Sequence, residues 1–287
     1  MPLRAPKPLW RGRRTLAGVL GWSGAVLAFV LVAFPLLDIL YLITRRAFSA
    51  FSLTLFTQVT NGISGGLLNA ITGTAVLVAG SLIIAAPVGI LTGVYLAEFG
   101  HGRFGSTVRF CSDVLTGVPS IVLGYFSYVT LVIGLGWQFS VMAGAITLAI
   151  MIVPYLARLT ELALQRVPNG LREAGYALGM REATVIARVV VPAALPGVLT
   201  AVLLSTAISV GETAPLIYTA GWSNYLWNGR FTHEPIGYLT YVIWSFINQP
   251  FASAHALAFA AAFLVIAAVL VLNIGVHLLL RRKVPAH

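Results

Sequence analysis

The sequence is poor in charge. Only 9% of its 287 residues are charged and 59% are hydrophobic, whereas a soluble globular domain carries about 25% charged residues. So few charges leave too little polar surface to face water on all sides. The mean hydropathy of +0.92 points instead to a chain that crosses a membrane several times. Lysine is nearly missing: Lys7 and Lys283 are the only two, both in the tails. A nucleotide-cradling loop of the form GxxxxGKS or GxxxxGKT needs an internal lysine beside its glycines, so ATP is not held here in that way. Cys111 is the single cysteine, which excludes an internal disulfide and a thiolate metal site; it reads as a core or packing residue. His101, His233, His255, His277 and His287 are scattered, and no His, Asp and Glu cluster has metal-ligand spacing. The net charge of +10 comes without a basic stripe interleaved with aromatics, so nucleic acid is not an expected partner.

What the chain does have is long apolar runs. Arg11, Arg13 and Arg14 precede a run from Thr15 to Ile43, longer than the roughly 7–15 residues of a cleavable signal core, so it reads as a retained span. Six helices are expected, near 16–43, 68–97, 110–134, 139–161, 195–220 and 252–280. About 20 residues cross the hydrocarbon layer, so the longer ones should tilt or project. The second and third are divided by a loop over Glu98–Val108, and the third and fourth by a tight turn over Gly134–Gln138. The expected organisation is an N-terminal tail (1–15), a six-span domain (16–280) with a polar loop at about 169–192, and a C-terminal tail (281–287).

Arginine placement orients the chain. With the N-terminus in the cytoplasm, fifteen of the eighteen Lys and Arg residues fall inside and only Arg45, Arg46 and Arg230 outside. Both termini are therefore expected to be cytoplasmic. Two outer segments are long enough to fold. Arg45–Leu67 holds the turn-favouring Asn61-Gly62 and Ser64-Gly65-Gly66. Gly221–Pro250 is rich in aromatics, among them Trp222, Tyr225, Trp227, Phe231, Tyr238, Tyr241, Trp244 and Phe246. These rings suit the lipid headgroup layer and equally a surface for an external partner.

Within the spans, Gly89 and Gly93 form a GxxxG pair that lets backbones approach. Pro87, Pro119, Pro154 and Pro215 each remove an amide donor and open the way to kinks or breaks. Ionisable groups at membrane depth are costly and serve pairing or function. Arg158 and Glu161 share a helix face. They read either as a salt bridge that fixes the helix end or as a paired site with a guanidinium open to an oxyanion. Glu212 sits between Gly211, expected to permit close packing, and Thr213, ahead of Pro215. It reads as one half of a buried pair or as a group on a transport path. Asp38 and Asp113 read as structural, with Asp113 placed to pair locally with Arg109.

The most informative stretch is polar: LREAGYALGMREATVIARVVVPAALPG, Leu171–Gly197, flanked by apolar spans. Asn169 is a plausible N-cap, with Arg172 and Glu173 in the first turns. Leu178-Gly179-Met180 breaks the helix, and a second short helix runs from Arg181 towards Val191, until Pro192 and Pro196 redirect the chain. Such a knob suits the cleft of a peripheral domain; an ordinary amphipathic interfacial loop is the plainer reading. Glu173-Ala174-Gly175, then Gly179, Ile186 and Val191-Pro192 resemble the EAA loop of ABC importer permeases, with Gly175 where alanine is usual.

Further marks are similar to the PstA family of phosphate ABC transporter permeases: Pro87-Val88-Gly89-Ile90 through Tyr95-Leu96-Ala97-Glu98-Phe99-Gly100, Leu115 to Val122 around Pro119, Arg158-Leu159-Thr160-Glu161, and above all Gly211-Glu212-Thr213-Ala214-Pro215-Leu216. The resemblance implies an all-α, six-helix type I ABC importer transmembrane domain of the MetI-like kind in a bacterial inner membrane. It implies that Leu171, Arg172, Glu173, Ala174, Gly175, Leu178, Gly179, Arg181, Ile186 and Pro192 couple to an ATPase. Arg158, Glu161, Glu212 and Thr213 become candidates for the path, and Gly89, Gly93, Pro119, Gly211 and Pro215 serve kinks or packing. The implied partners are the sister permease PstC, two copies of the ATPase PstB, the binding protein PstS, phosphate and membrane lipid. No cofactor is expected on this chain; ATP and Mg are used by the partner ATPase, so the chain itself is not an enzyme. The PstC-type subunit, a permease for another oxyanion or an amino acid, a membrane-embedded enzyme and a passive channel are the rival readings.

Overall fold

The computed structural model describes residues 11–48 and 50–281, with side chains for 18–48 and 50–275. The outer parts of the expected tails, 1–10 and 282–287, lie outside the described residues. In chain order the elements are α1 (Arg11–Phe48), α2 (Leu53–Thr57), a ribbon of β1 (Thr60–Asn61) and β2 (Ser64–Gly65), and α3 (Leu68–Glu98). Then come α4 (Arg103–Gly117), α5 (Ser120–Ser127) with a π-helical continuation Tyr128–Gly134, α6 (Val141–Gln165) and α7 (Asn169–Ala177). They are followed by α8 (Glu182–Val185), continued as a π-helix over Ile186–Val190, then α9 (Val191–Gly211), α10 (Ala214–Thr219), α11 (Leu239–Phe246) and α12 (Ala252–Arg281). Among the described residues, five helices are long and apolar enough to cross a membrane, and up to six if the bent pair α4–α5 forms one span.

Helix α6 is the centre of the bundle. It buries Leu148, Ile152, Leu156 and Leu164 completely, and Ser140 caps its start by accepting from the Ala143 amide at 3.4 Å. Its main neighbour is α3, and small residues set how close the two come. A Cβ on Gly89 would lie 2.5 Å from Leu156 Cβ, and one on Gly93 would lie 2.5 Å from Thr160 Cβ. The GxxxG pair is thus the α3 face that receives α6. Helices α9, α10 and α4 close round α6. Helix α1 lies outside the bundle, mostly exposed, with α12 as its principal neighbour and Arg46 5.0 Å from the Phe259 ring centroid.

Three expected boundaries change. The third span is not one rod over 110–134. Helix α4 begins at Arg103, inside the expected Glu98–Val108 loop, and a break at Val118-Pro119 turns α5 by 99°. Proline cannot donate to the preceding turn, and its ring disfavours a helical residue before it; Val118 is accordingly extended. From Ser120 to Gly134 the rise is at most about 22 Å, short of the roughly 30 Å hydrocarbon layer.

The fifth span starts earlier than expected. Pro192 and Pro196 do not redirect the chain: one apolar helical run extends from Glu182 to Gly211. Pro192 follows the π-helical stretch, whose shifted bonding leaves room for a residue without an amide donor. That span ends at Glu212-Thr213 instead of running to 220, and α10 restarts with Pro215 in its first turn. Pro87 and Pro154, by contrast, sit inside unbroken helices.

At the end of the bundle away from α7, Asn69 ties the two long connections together. Its Oδ1 accepts from the Thr60 amide at 3.0 Å and its Nδ2 donates to Ser223 O at 2.8 Å. The Asn61-Gly62 turn joins β1 to β2 with Gly62 at φ 61°. The aromatics of 221–250 divide between core and surface. Tyr238 is buried and Trp222 stacks on Tyr241 at 4.7 Å, whereas Tyr225, Phe231 and Trp244 are exposed. Cys111, expected to be a packing residue, is exposed on α4.

Candidate functional site

Helix α7 projects at the end of the bundle formed by the C-termini of α3 and α6. Asn169 is its first helical residue and not the N-cap; Pro168 holds that position, with φ −57° and ψ 136°. Proline's locked φ serves this entry, where no amide donor is needed. The helix ends in a Schellman turn. Gly179 takes φ 74°, its amide donates to Tyr176 O at 2.9 Å, and the Met180 amide donates to Gly175 O at 3.2 Å. Gly175 is buried against α8: a Cβ there would lie 2.9 Å from Val185 Cγ2. Glycine at this position brings the two short helices together.

The knob's outward face carries Leu171, Glu173, Ala174, Tyr176, Leu178 and Arg181, all exposed; Leu178, at the tip, is 77% exposed. An apolar tip flanked by one acid and one base is a surface for a protein cleft. Ile186 is buried beneath it and Pro192 is exposed on the first turn of α9. Arg172 does not belong to that face. It turns inward, where its Nη2 meets Glu98 Oε1 at 2.8 Å, its Nη1 donates to Val167 O at 2.7 Å and its Nη2 also donates to Leu164 O at 3.1 Å.

The expected Arg158–Glu161 pair is present at 2.9 Å, but Glu161 has a second arginine. Arg109 of α4 reaches it at 2.7 Å, and Gln165 Nε2 donates to the same Oε1 at 3.1 Å. Glu161 itself is fully buried. Arg109 also donates to Gly100 O and Leu96 O, each at 2.7 Å, so it does not pair with Asp113, which lies exposed on α4. The two arginines exceed the one carboxylate by a unit charge, and the Arg158 side chain remains 43% exposed. A partly open guanidinium of this kind suits an oxyanion.

Glu212 stands at the break between α9 and α10, in extended conformation. It makes no ion pair among the described residues; the Ser120 side chain is its hydrogen-bonding neighbour, and its carbonyl accepts from Thr240 Oγ1 at 2.7 Å. It lines a small cavity with Thr74, Ser209, Tyr238 and Thr240, where the buried hydroxyls of Ser209 and Tyr238 have no partner. Thr213 is the residue before α10, and its side chain makes no cap bond. Gly211 does not mediate close packing: a Cβ there would meet nothing within 4 Å. The close approach is made across the break, where a Cβ on Gly124 of α5 would lie 2.5 Å from Pro215 Cα.

Sequence reasoning passed over Glu98, Ser209 and Tyr238 as polar parts of these sites, and placed Arg109 with the wrong partner. Glu98 and Arg109 flank the α3–α4 connection and look like ordinary loop charges. Only the spatial neighbours, Arg172 and Glu161, reveal what they hold.

Residues 89–284 match the family described as a binding-protein-dependent transport system inner membrane component. The phosphate transport system permease protein PstA 2 of Mycobacterium bovis is 44% identical over 260 residues, covering 91% of this chain and 86% of that protein. The phosphate transport system permease protein PstA of Yersinia pestis is 40% identical over 288 residues, covering 99% and 95%. Among solved structures, the inward-facing MetNI methionine ABC transporter matches with a TM-score of 0.61 and 20% identity, over 77% of this chain and 95% of that one. At that identity the likeness is one of fold.

Proposed function

The chain belongs to the family of binding-protein-dependent transport system inner membrane components, and from that membership we propose that it is the PstA-type permease subunit of an ATP-driven phosphate importer. Relatives named for phosphate transport along 86–95% of their length support the substrate. The fold is that of an all-α, MetI-like importer domain in a multi-pass membrane protein. The observation that carries the coupling role is α7: a capped helix with an apolar exposed tip, standing clear of the spans.

The α7 end is cytoplasmic, as are both termini, in keeping with the arginine bias. The tip from Glu173 to Gly179 docks into one copy of a separate ATPase of the PstB kind, which binds ATP and Mg. A PstC-type sister supplies the other half of the path and receives a second copy. A PstS-type protein delivers phosphate at the opposite face, near the exposed Tyr225 and Trp244. This chain breaks no covalent bond. Its part is to bind weakly, orient and release. Arg158, tempered by Glu161, lowers the barrier for the anion without holding it too tightly. Glu212 and Thr213 sit where the broken helix frees polar groups beside the bundle interior.

The test is uptake of radiolabelled phosphate by liposomes holding this chain with its sister, the ATPase and the binding protein. Uptake should require ATP and this chain, and resist competition by sulfate. An assembled, ATP-hydrolysing complex that takes up another solute and no phosphate would overturn the substrate assignment.

A further inference from the structure

The C-terminal end of α3 is gripped from two sides. A helix C-terminus carries unpaired carbonyls and a partial negative charge, so cations with several donors are held well there. Arg109 of α4 supplies one grip, through Leu96 O and Gly100 O, while its third donor holds Glu161 of α6. Arg172 of α7 supplies the other. Its fork meets both oxygens of Glu98, at 2.8 and 3.4 Å, and it donates as well to Leu164 O and Val167 O at the end of α6. The Arg172 and Glu98 side chains are only 17% and 10% exposed, so the pair is not an ordinary solvated ion pair.

The rest of α7 is poorly attached to the spans. It packs chiefly on the 182–190 segment, through Gly175 against Val185. Apart from the chain itself, entering through Pro168, Arg172 is the polar bridge from α7 to α3. A planar guanidinium bonded to four acceptors is a stiff connector, because moving it strains several directional bonds at once. The same end of α3 is clasped by Arg109 to α4 and, through Glu161, to α6. A displacement of α7 therefore reaches three helices through one side chain.

We propose that the Arg172–Glu98 pair is the link by which movement of α7 is passed to the end of α3, and from there to α4 and α6. Arg172 is then a positioning residue and not part of the docking face. This rests on the coupling reading of α7 given above. The link is a contiguous bonded path, which is the physical form that coupling between separated sites takes.

Glu98→Ala cuts the bridge to α3 and leaves the bonds from Arg172 to the end of α6. In liposomes holding the complete transporter, ATP hydrolysis should persist while phosphate taken up per ATP falls by about fivefold or more. Glu98→Gln, which keeps a neutral acceptor, should restore part of that ratio. A merely structural pair would lower assembled complex, hydrolysis and uptake together, with the ratio unchanged, and that result overturns the proposal. Should Glu98→Ala fail to assemble, Arg172→Lys decides: it keeps the charge but loses the fork, so an unchanged ratio refutes the link and a reduced one supports it. A wild-type complex without ATP-driven phosphate uptake would instead count against the importer reading.

Discussion

Arg109 and Glu161 stand 52 positions apart and meet at 2.7 Å, with Arg158 closing on the other carboxylate oxygen. One buried acid therefore holds the inner parts of α4 and α6 together. Glu161→Ala is expected to lower stability by about 3 kcal/mol, because it leaves two cations close together without their counter-charge; their partial solvation keeps the loss near the low end for a broken buried pair. Arg158→Ala should cost only about 0.5 kcal/mol, since Arg109 still serves the acid and Arg158 is partly in solvent. Thermal melting of the purified chain in detergent measures both. Equal losses would show that the two arginines are not ranked as described.

Glycines in this chain serve different ends, and alanine separates them. At Gly93 a Cβ would sit 2.5 Å from Thr160 Cβ and 2.7 Å from Ala157 O. Gly93→Ala should force α3 away from α6 and cost about 2 kcal/mol. Gly211→Ala meets nothing and should stay within about 0.5 kcal/mol of the parent. The same melting assay checks the contrast.

The tip of α7 should separate docking from folding. Leu178 is 77% exposed, so Leu178→Asp should alter melting by less than about 0.5 kcal/mol. It should nevertheless abolish co-purification of the ATPase. Gly179→Ala should cost about 1 kcal/mol through its left-handed backbone, and should weaken co-purification by loosening the turn that presents Leu178. Full retention of the ATPase by both variants would contradict the docking role.

The cavity beside Glu212 gives opposite expectations for stability and transport. The Tyr238 hydroxyl is buried without a partner, so Tyr238→Phe removes an uncompensated polar group and should leave melting unchanged or raise it by up to about 1 kcal/mol. Glu212→Gln keeps the shape and removes a charge that has no cationic partner among the described residues. The complex should assemble and hydrolyse ATP, while phosphate uptake falls. Unimpaired uptake by Glu212→Gln would remove Glu212 from the path.

The sequence by itself determined where the chain is apolar and where one local rule acts alone. Hydropathy adds up along a segment against the lipid, so the spans at 68–97 and 139–161 lie within α3 and α6 nearly to their ends. Gly179 ends α7 because an αL turn is a property of one residue's backbone. Only the tertiary structure decided which charges meet. Arg109 lies four residues from Asp113, yet it pairs with Glu161, because the rotation of α4 against α6 sets the distance and no spacing along the chain encodes it. The same holds for Arg172, which its motif places on a docking surface and its neighbours at 2.7–2.8 Å turn inward. Prolines obey neither source alone: Pro119 sits at a 99° break, while Pro87 and Pro154 lie in continuous helices. A lost amide bond breaks a helix only where the surrounding bundle does not hold it straight.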